Sequence, residues 1–186
     1  MAYAPTTIII TFLNTISRFR DKYFSKIFAS IVEEKIEENG FILEAGCGSG
    51  KILEKISKNV VKVGCDISKE ALKLAKNNCD YVIRSDIKQL PFKDNVFEIV
   101  FNQGVMEHFS DEEFDLILKE LKRVSKKVII IVPSHTSLFR LYNPFPEGKF
   151  FSKKELKDKL DKNFKKVDIK YLPKTFFLSI VAFCED

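Results

Sequence analysis

What this chain of 186 residues lacks narrows its class before any motif is considered. Its four cysteines, at 47, 65, 79 and 184, form no C-x-x-C pair and no metal-ligand spacing. That excludes a disulfide framework and sets a reduced, cytoplasmic environment as the expectation. The apolar stretch 8–13 (IIITFL) falls far short of the roughly 18 residues that cross a bilayer. It has no basic segment before it and no cleavage pattern after it, so neither membrane insertion nor a signal peptide is expected. No five like charges run together, and a net charge of +5 permits acidic partners without requiring them. Repeats, low-complexity tracts and linkers are missing too. With 45% hydrophobic and 31% charged residues, one soluble domain over residues 1–186 is expected. The basic residues lean to one end: residues 149–174 hold ten lysines against four acids. That is a solvated face or a nucleic-acid patch.

Glycine is scarce, yet three of the seven fall in one heptapeptide, Glu44-Ala45-Gly46-Cys47-Gly48-Ser49-Gly50. The apolar run Phe41-Ile42-Leu43 leads into it, behind the turn signal Asn39-Gly40. After it, Lys51 to Lys58 places apolar residues at 52, 53 and 56, a helical spacing. Strand, glycine-rich turn and helix is the layout that brings backbone N–H groups close to a ligand at a helix N-terminus. A side chain at those glycines would block either the turn or the ligand. A second apolar run, Val60 to Cys65, ends in Asp66, twenty residues after Gly46. A carboxylate at the tip of a second parallel strand can accept hydrogen bonds from both hydroxyls of a ribose. The dinucleotide fingerprint G-x-G-x-x-G is not met, because Lys51 stands where its third glycine would be.

The pattern acidic-x-G-x-G-x-G, met in full by Glu44 to Gly50, resembles the first motif of the class I S-adenosylmethionine-dependent methyltransferases. Arg84-Ser85-Asp86-Ile87, followed by Gln89-Leu90-Pro91-Phe92, resembles the segment after that family's third strand. Phe97 to Asn102 resembles its fourth strand, and Gln103 to Phe109 (QGVMEHF) the loop and helix start beyond. The resemblance extends over residues 17–133 and is nearest to the small-molecule type. It implies an α/β fold: a doubly wound, mostly parallel, Rossmann-like sheet of seven strands, with an antiparallel C-terminal edge hairpin. It divides the chain into an N-terminal helical segment (1–38), a cofactor-binding core (39–133), an acceptor-side loop (134–151), and a helix with edge strands (152–186).

The resemblance also implies S-adenosyl-L-methionine as cofactor and assigns residues to it. Gly46, Cys47, Gly48 and Gly50 would contact the methionine part and Asp66 the ribose. Asp86 and Ile87, with Ser85 beside them, would contact the adenine, and Ile67 would cover one adenine face or pack in the core. Asn102 and Gln103 would line the donor–acceptor junction, while Glu44 would order the glycine turn. In the helix from Ile16 to Glu38, Phe19, Arg20, Lys22 and Tyr23 are candidates for the methionine carboxylate; alternatively the aromatics are core and the charges solvated.

The rest of the chain supplies elements in a consistent order. Ser68 caps a helix over Lys69 to Asn77, and Tyr81-Val82-Ile83 makes a short buried third strand. Ser110 and Glu113 form a capping box for a helix running to Val124. Val128 to Val132, apolar on both faces, belongs in the middle of a helix-covered sheet. Residues 134–150 form a loop over the sheet's C-terminal edge, where Phe139, Arg140, Tyr142, Phe145 and Lys149 would line an acceptor pocket or close the core. Ser152 caps Lys153 to Leu160, and Phe164 to Tyr171 with Thr175 to Phe183 make the edge hairpin.

A sulfonium methyl group is already electrophilic, so positioning and water exclusion suffice and no catalytic dyad is obligatory. His108 is the candidate general base, or else a helix-end histidine bonded to backbone. Some methyltransferases hold a metal with E-x-x-E-H at this place. Here Gly104 replaces the first Glu, so no metal is expected. Asn102-Gln103-Gly104-Val105 also departs from the [N/D]-P-P-aromatic motif of enzymes that methylate nucleobase amines. A small-molecule acceptor is therefore expected, with RNA (such as tRNA) or protein as the rival. An NAD-dependent oxidoreductase would share the strand–turn–helix and the role of Asp66, but not Lys51 or Ser85-Asp86. A non-catalytic cofactor-binding protein would carry a damaged glycine loop, and this loop is intact.

Overall fold

The apolar run Val128–Val132 is buried at every position and forms the middle of strand β5 (Ser125–Pro133). In a strand, alternate side chains point to opposite faces, so both faces of β5 must be covered. Val128, Ile130 and Val132 meet helices α4 (Asp111–Val124) and α5 (Lys153–Leu160). Ile129 and Ile131 meet helix α1 (22–33) and helix α2 (Lys51–Lys55). This computed structural model describes residues 22–37, 39–135, 148–175 and 179–186.

The remaining strands are β1 (Phe41–Ala45), β2 (Val61–Asp66), β3 (Tyr81–Arg84), β4 (Phe97–Gln103), β6 (Lys166–Tyr171) and β7 (Ser179–Glu185). With β5 they make one seven-stranded sheet in the order β3-β2-β1-β4-β5-β7-β6. Strands β1 to β5 pair in parallel, and β7 alone runs antiparallel to its neighbours β5 and β6. The fold is thus the doubly wound α/β arrangement, with β7 inserted between β5 and the outermost strand β6. The winding reverses between β1 and β4, and ligands of open α/β sheets bind beyond the strand ends at such a reversal.

Local chemistry starts the helices. The Ser68 side chain accepts from Ala71 N–H at the head of α3 (Lys69–Ala75). Ser110 with Glu113, and Ser152 with Glu155, form complete capping boxes at α4 and α5. Helix α4 then buries Phe114, Ile117, Leu118, Leu121 and Val124 in one stripe, each such burial stabilising by about 1.5–3 kcal/mol.

Besides helices that end earlier than expected (α1 at 33, α2 at Lys55 and α3 at Ala75), the structure departs from the sequence reading in three places. β3 is half-exposed, with Tyr81 61% exposed, because it is the edge of the sheet. Phe164 is no strand residue: its N–H donates to Leu160 O, closing the end of α5. Thr175 lies in a 3-10 turn, its hydroxyl donating to Leu172 O at 2.7 Å. The candidates Phe19 and Arg20, and the loop residues Phe139, Arg140, Tyr142 and Phe145, lie outside the described residues.

For α4, Ser110→Ala should cost about 1 kcal/mol through the lost cap, and Leu118→Ala about 2–5 kcal/mol through the cavity it leaves. Urea unfolding compares the two; equal losses would mean that the cap, not the buried stripe, holds the helix.

Candidate active site

β1 ends at Ala45 and the chain turns at once. The N–H groups of Gly46 and Cys47 both donate to Cys65 O at 2.8 Å, which stitches the loop to the end of β2. Gly46, Gly48 and Gly50 have φ of +81°, +51° and +72°, in the left-handed region. Their surroundings differ. A Cβ on Gly46 would come within 2.5 Å of Val105 Cγ2, and one on Gly50 within 2.9 Å of Cys79 Sγ. On Gly48 it would meet nothing within 4 Å. Two glycines therefore permit close packing, and the third leaves bare backbone facing open space.

Asp66 holds this loop from the tip of β2. Its Oδ2 accepts Gly48 N–H and its Oδ1 accepts Ser68 N–H, both at 2.8 Å. Each carboxylate oxygen has a second lone pair, so Asp66 can accept two more donors. Asn78 Nδ2 donates to Ser49 O at 2.8 Å and fixes the loop's far side. Glu44 is buried beneath it: one oxygen has no partner, and the carboxylate receives the Leu53 backbone N–H of α2. Burial first, and the Asp66 charge as well, push the Glu44 pKa well above the usual carboxylate range. Burial also raises the Cys65 and Cys79 thiols to about 12, and Cys47 higher still, so none is a ready nucleophile.

The loop forms one wall of a cavity of about 710 Å³, within the range of roughly 300–1,000 Å³ common for small-molecule sites. The candidates Glu44, Gly46, Cys47, Gly48 and Asp66 line it from β1 and β2. Ile67, which is 64% exposed, stands beside Asp66 as an apolar rim. Ser85, Asp86 and Ile87 line it after β3, and Gln103 and His108 after β4. The 85–89 turn is preorganised: Asp86 Oδ1 accepts Lys88 N–H at 2.9 Å, and the Ser85 hydroxyl donates to Gln89 O at 3.1 Å.

Three of the cofactor-binding candidates do not reach the wall, and neither do the exposed Lys22 and Lys149. Gly50 is the N-cap of α2 and packs on Cys79 and Asn78. Asn102 is fully buried, because strand alternation turns it away from the face that Phe101 and Gln103 share; both its polar side-chain atoms lack partners. Tyr23 is 51% exposed, and Phe24, Ser25 and Phe28 of α1 line the cavity instead. The i, i+4 spacing of Phe24 and Phe28 was the signal for them. Lys51, Ile52 and Lys88 are further wall residues without a sequence motif of their own, and Val105 and Phe109 come from the 103–109 segment.

After β4 the chain makes a 3-10 turn, Met106–His108. His108 is exposed on the cavity, and its backbone N–H donates to Val105 O at 3.2 Å. Glu107 points inward and is only 8% exposed, since the chain returns over it at 148–151 and Lys149 N–H donates to Glu107 O at 2.9 Å. Its Oε2 has no partner, and burial raises its pKa to about 7. Among the described residues, no group of three or more His, Cys, Asp or Glu side chains could hold a metal, and no helix is long and apolar enough to cross a membrane.

A glycine loop at the winding reversal, an acidic residue at each of the first two strand tips and an acidic turn after β3 define the class I methyltransferase arrangement. Comparisons with known proteins agree. Residues 43–131 match the family model described as a methyltransferase domain. The chain is 24% identical over 140 residues to human "Probable tRNA methyltransferase 9B", covering 75% of this chain but 29% of that protein. It is 32% identical over 154 residues to protein MJ1123 of Methanocaldococcus jannaschii, covering 77% of this chain and 69% of the relative. A Thermotoga maritima S-adenosylmethionine-dependent methyltransferase superposes with a TM-score of 0.72 at 19% identity, over 94% of this chain and 96% of that one. Residues 43–131 form a methyltransferase domain, and the fold around them is that of S-adenosylmethionine-dependent methyltransferases.

The site residues fit that family's cofactor: open backbone at Gly48, spare acceptor capacity on Asp66 and an apolar rim at Ile67 match the parts of a nucleoside sulfonium.

The raised pKa of Glu107 has a consequence for stability. In the folded state its proton is held up to about pH 7, against about 4.3 when unfolded. The unfolded chain therefore loses its proton first, and Glu107 destabilises the fold increasingly as pH rises from about 4 to 7. At about 1.4 kcal/mol for each pH unit between the two values, the cost above pH 7 is about 4 kcal/mol. Glu107→Gln should match the wild type at pH 4.5 and exceed its stability at pH 8, measured by urea unfolding at both. A variant less stable at pH 8 would contradict the burial argument.

Proposed function

We propose that this chain transfers the methyl group of S-adenosylmethionine to a small-molecule acceptor. The observation that carries the reading is the bare Gly48 backbone facing the cavity beside the Asp66 carboxylate. The sulfonium supplies an electrophilic methyl group when bound. Gly46, Cys47 and Gly48 hold the methionine part against backbone, with Glu44 fixing the loop from below. Asp66 accepts the ribose hydroxyls, Ile67 covers the adenine face, and Asp86 and Ile87 hold the adenine edge. Gln103 and His108 stand at the junction with the acceptor, and Phe24 and Phe28 exclude water from it. Here the chain's task is to align donor and acceptor, the entropic part of catalysis.

RNA is the second reading. It is favoured by the tRNA methyltransferase relative and by the lysines of α5 and β6. Of the ten lysines in 149–174, Lys149, Lys157, Lys159, Lys166 and Lys170 pair with carboxylates. Lys154, Lys162, Lys165 and Lys174 are exposed and form no ion pair among the described residues. Such a surface would bind tRNA with an affinity falling steeply as salt rises.

Calorimetric titration of Asp66→Ala with S-adenosylhomocysteine should show binding weakened at least tenfold, since two charge-assisted hydrogen bonds are lost and the Gly48 tether with them. Unchanged affinity would remove Asp66 from the site.

A further inference from the structure

The cofactor reading leaves one group of the site without a task. Glu107 is more than nine-tenths buried, and its Oε2 meets no donor. Burial of a carboxylate without a partner is costly, and native structures normally complete such a group with a cation or hydrogen-bond donors. Among the described residues, no cation does so. The Lys149 ammonium turns away to Asp111 Oδ1 at 2.9 Å. Lys88 Nζ is held by Glu113 Oε1 at 2.8 Å. His108, on the same turn, is exposed on the cavity side. No neighbouring charge contributes to the Glu107 shift, which comes from burial opposed only by its own backbone N–H.

Two glycines border this carboxyl. A Cβ built on Gly104 would meet a single atom within 4 Å, Glu107 Oε1 at 3.8 Å. Gly104 has φ +69° and, like His108, lines the cavity. On the other side, a Cβ on Gly148 would meet Glu107 Cγ at 3.6 Å and His108 Cε1 at 3.8 Å. Glu107 does not itself line the cavity; its Oε1 lies behind the bare Cα of Gly104, which does, next to Gln103 and His108.

We infer that Glu107 is the anchor and proton acceptor for an amine-class acceptor, reached from the cavity across Gly104. This rests on the methyl-transfer reading above. An ammonium supplies both the charge and the N–H donors that Glu107 lacks, whereas a carboxylate acceptor would meet like charge. The ammonium passes one proton to the Glu107 carboxylate, which frees the nitrogen lone pair. That pair forms the bond to the methyl carbon while the C–S pair returns to sulfur, leaving a neutral thioether and an N-methylammonium product.

The test is calorimetry on the full chain saturated with S-adenosylhomocysteine, with butylammonium and butyrate as probes. Butylammonium should bind the wild type at pH 8 and about tenfold more weakly at pH 6, as Glu107 takes up its proton and the amine stays charged. Glu107→Gln should bind it at least tenfold more weakly at pH 8 and lose the pH dependence. Butyrate should bind neither. Equal butylammonium affinity in wild type and Glu107→Gln, absence of butylammonium binding to the wild type, or preference for butyrate would each overturn the inference. Failure of S-adenosylhomocysteine itself to bind would overturn the methyl-transfer reading as well, and so separates the two failures.

Discussion

The site depends on how the glycine loop is fastened to strand β2. Two backbone N–H groups, of Gly46 and Cys47, share the Cys65 carbonyl, and the next residue, Asp66, takes the Gly48 N–H. Three bonds from consecutive loop residues and alternating glycines thus fall on two neighbouring positions of one strand end. The β1–β2 register, with Ala45 opposite Cys65, brings those groups together. The left-handed φ values at Gly46, Gly48 and Gly50 carry the chain from β1 into α2 within five residues. Once the loop is pinned, the Gly48 backbone faces the cavity and the Asp66 carboxylate lies beside it.

Beneath that frame the protein tolerates buried polarity that a purely structural sheet would avoid. Glu44 and Glu107 each bury an oxygen without a partner, and Asn102 buries both polar atoms of its side chain. All three lie at or just beyond the C-terminal ends of β1 and β4, the strands between which the winding reverses. Unsatisfied buried groups concentrated at one place in a fold are characteristic of functional sites, where stability is given up for chemistry. The remainder of the core, from the β5 ladder to the α4 stripe, is apolar and conventional.

Much of this was legible from residue order alone. The β-branched run of β5, the serine caps of α3, α4 and α5, and the loop from Glu44 to Gly50 carry their instructions locally, in side-chain branching, hydroxyl placement and glycine spacing. Asp66 followed from its distance to the loop. What stayed hidden depends on contacts between distant segments. Glu107 has the look of a solvated charge in a polar turn until residues 148–151 close over it. Phe24 and Phe28 went unnamed beside Tyr23, because the phase of α1 against the sheet selects the face that meets the cavity. The partial exposure of β3 follows from its place at the sheet edge, which no short stretch of sequence encodes.

The most direct test of the cofactor site is titration of the purified chain with S-adenosylmethionine, S-adenosylhomocysteine and NADH in parallel. The geometry of Gly48 and Asp66, with Lys51 in place of a third dinucleotide glycine, predicts micromolar binding of the first two and none of NADH. Binding of NADH in preference to both sulfur nucleosides would contradict it.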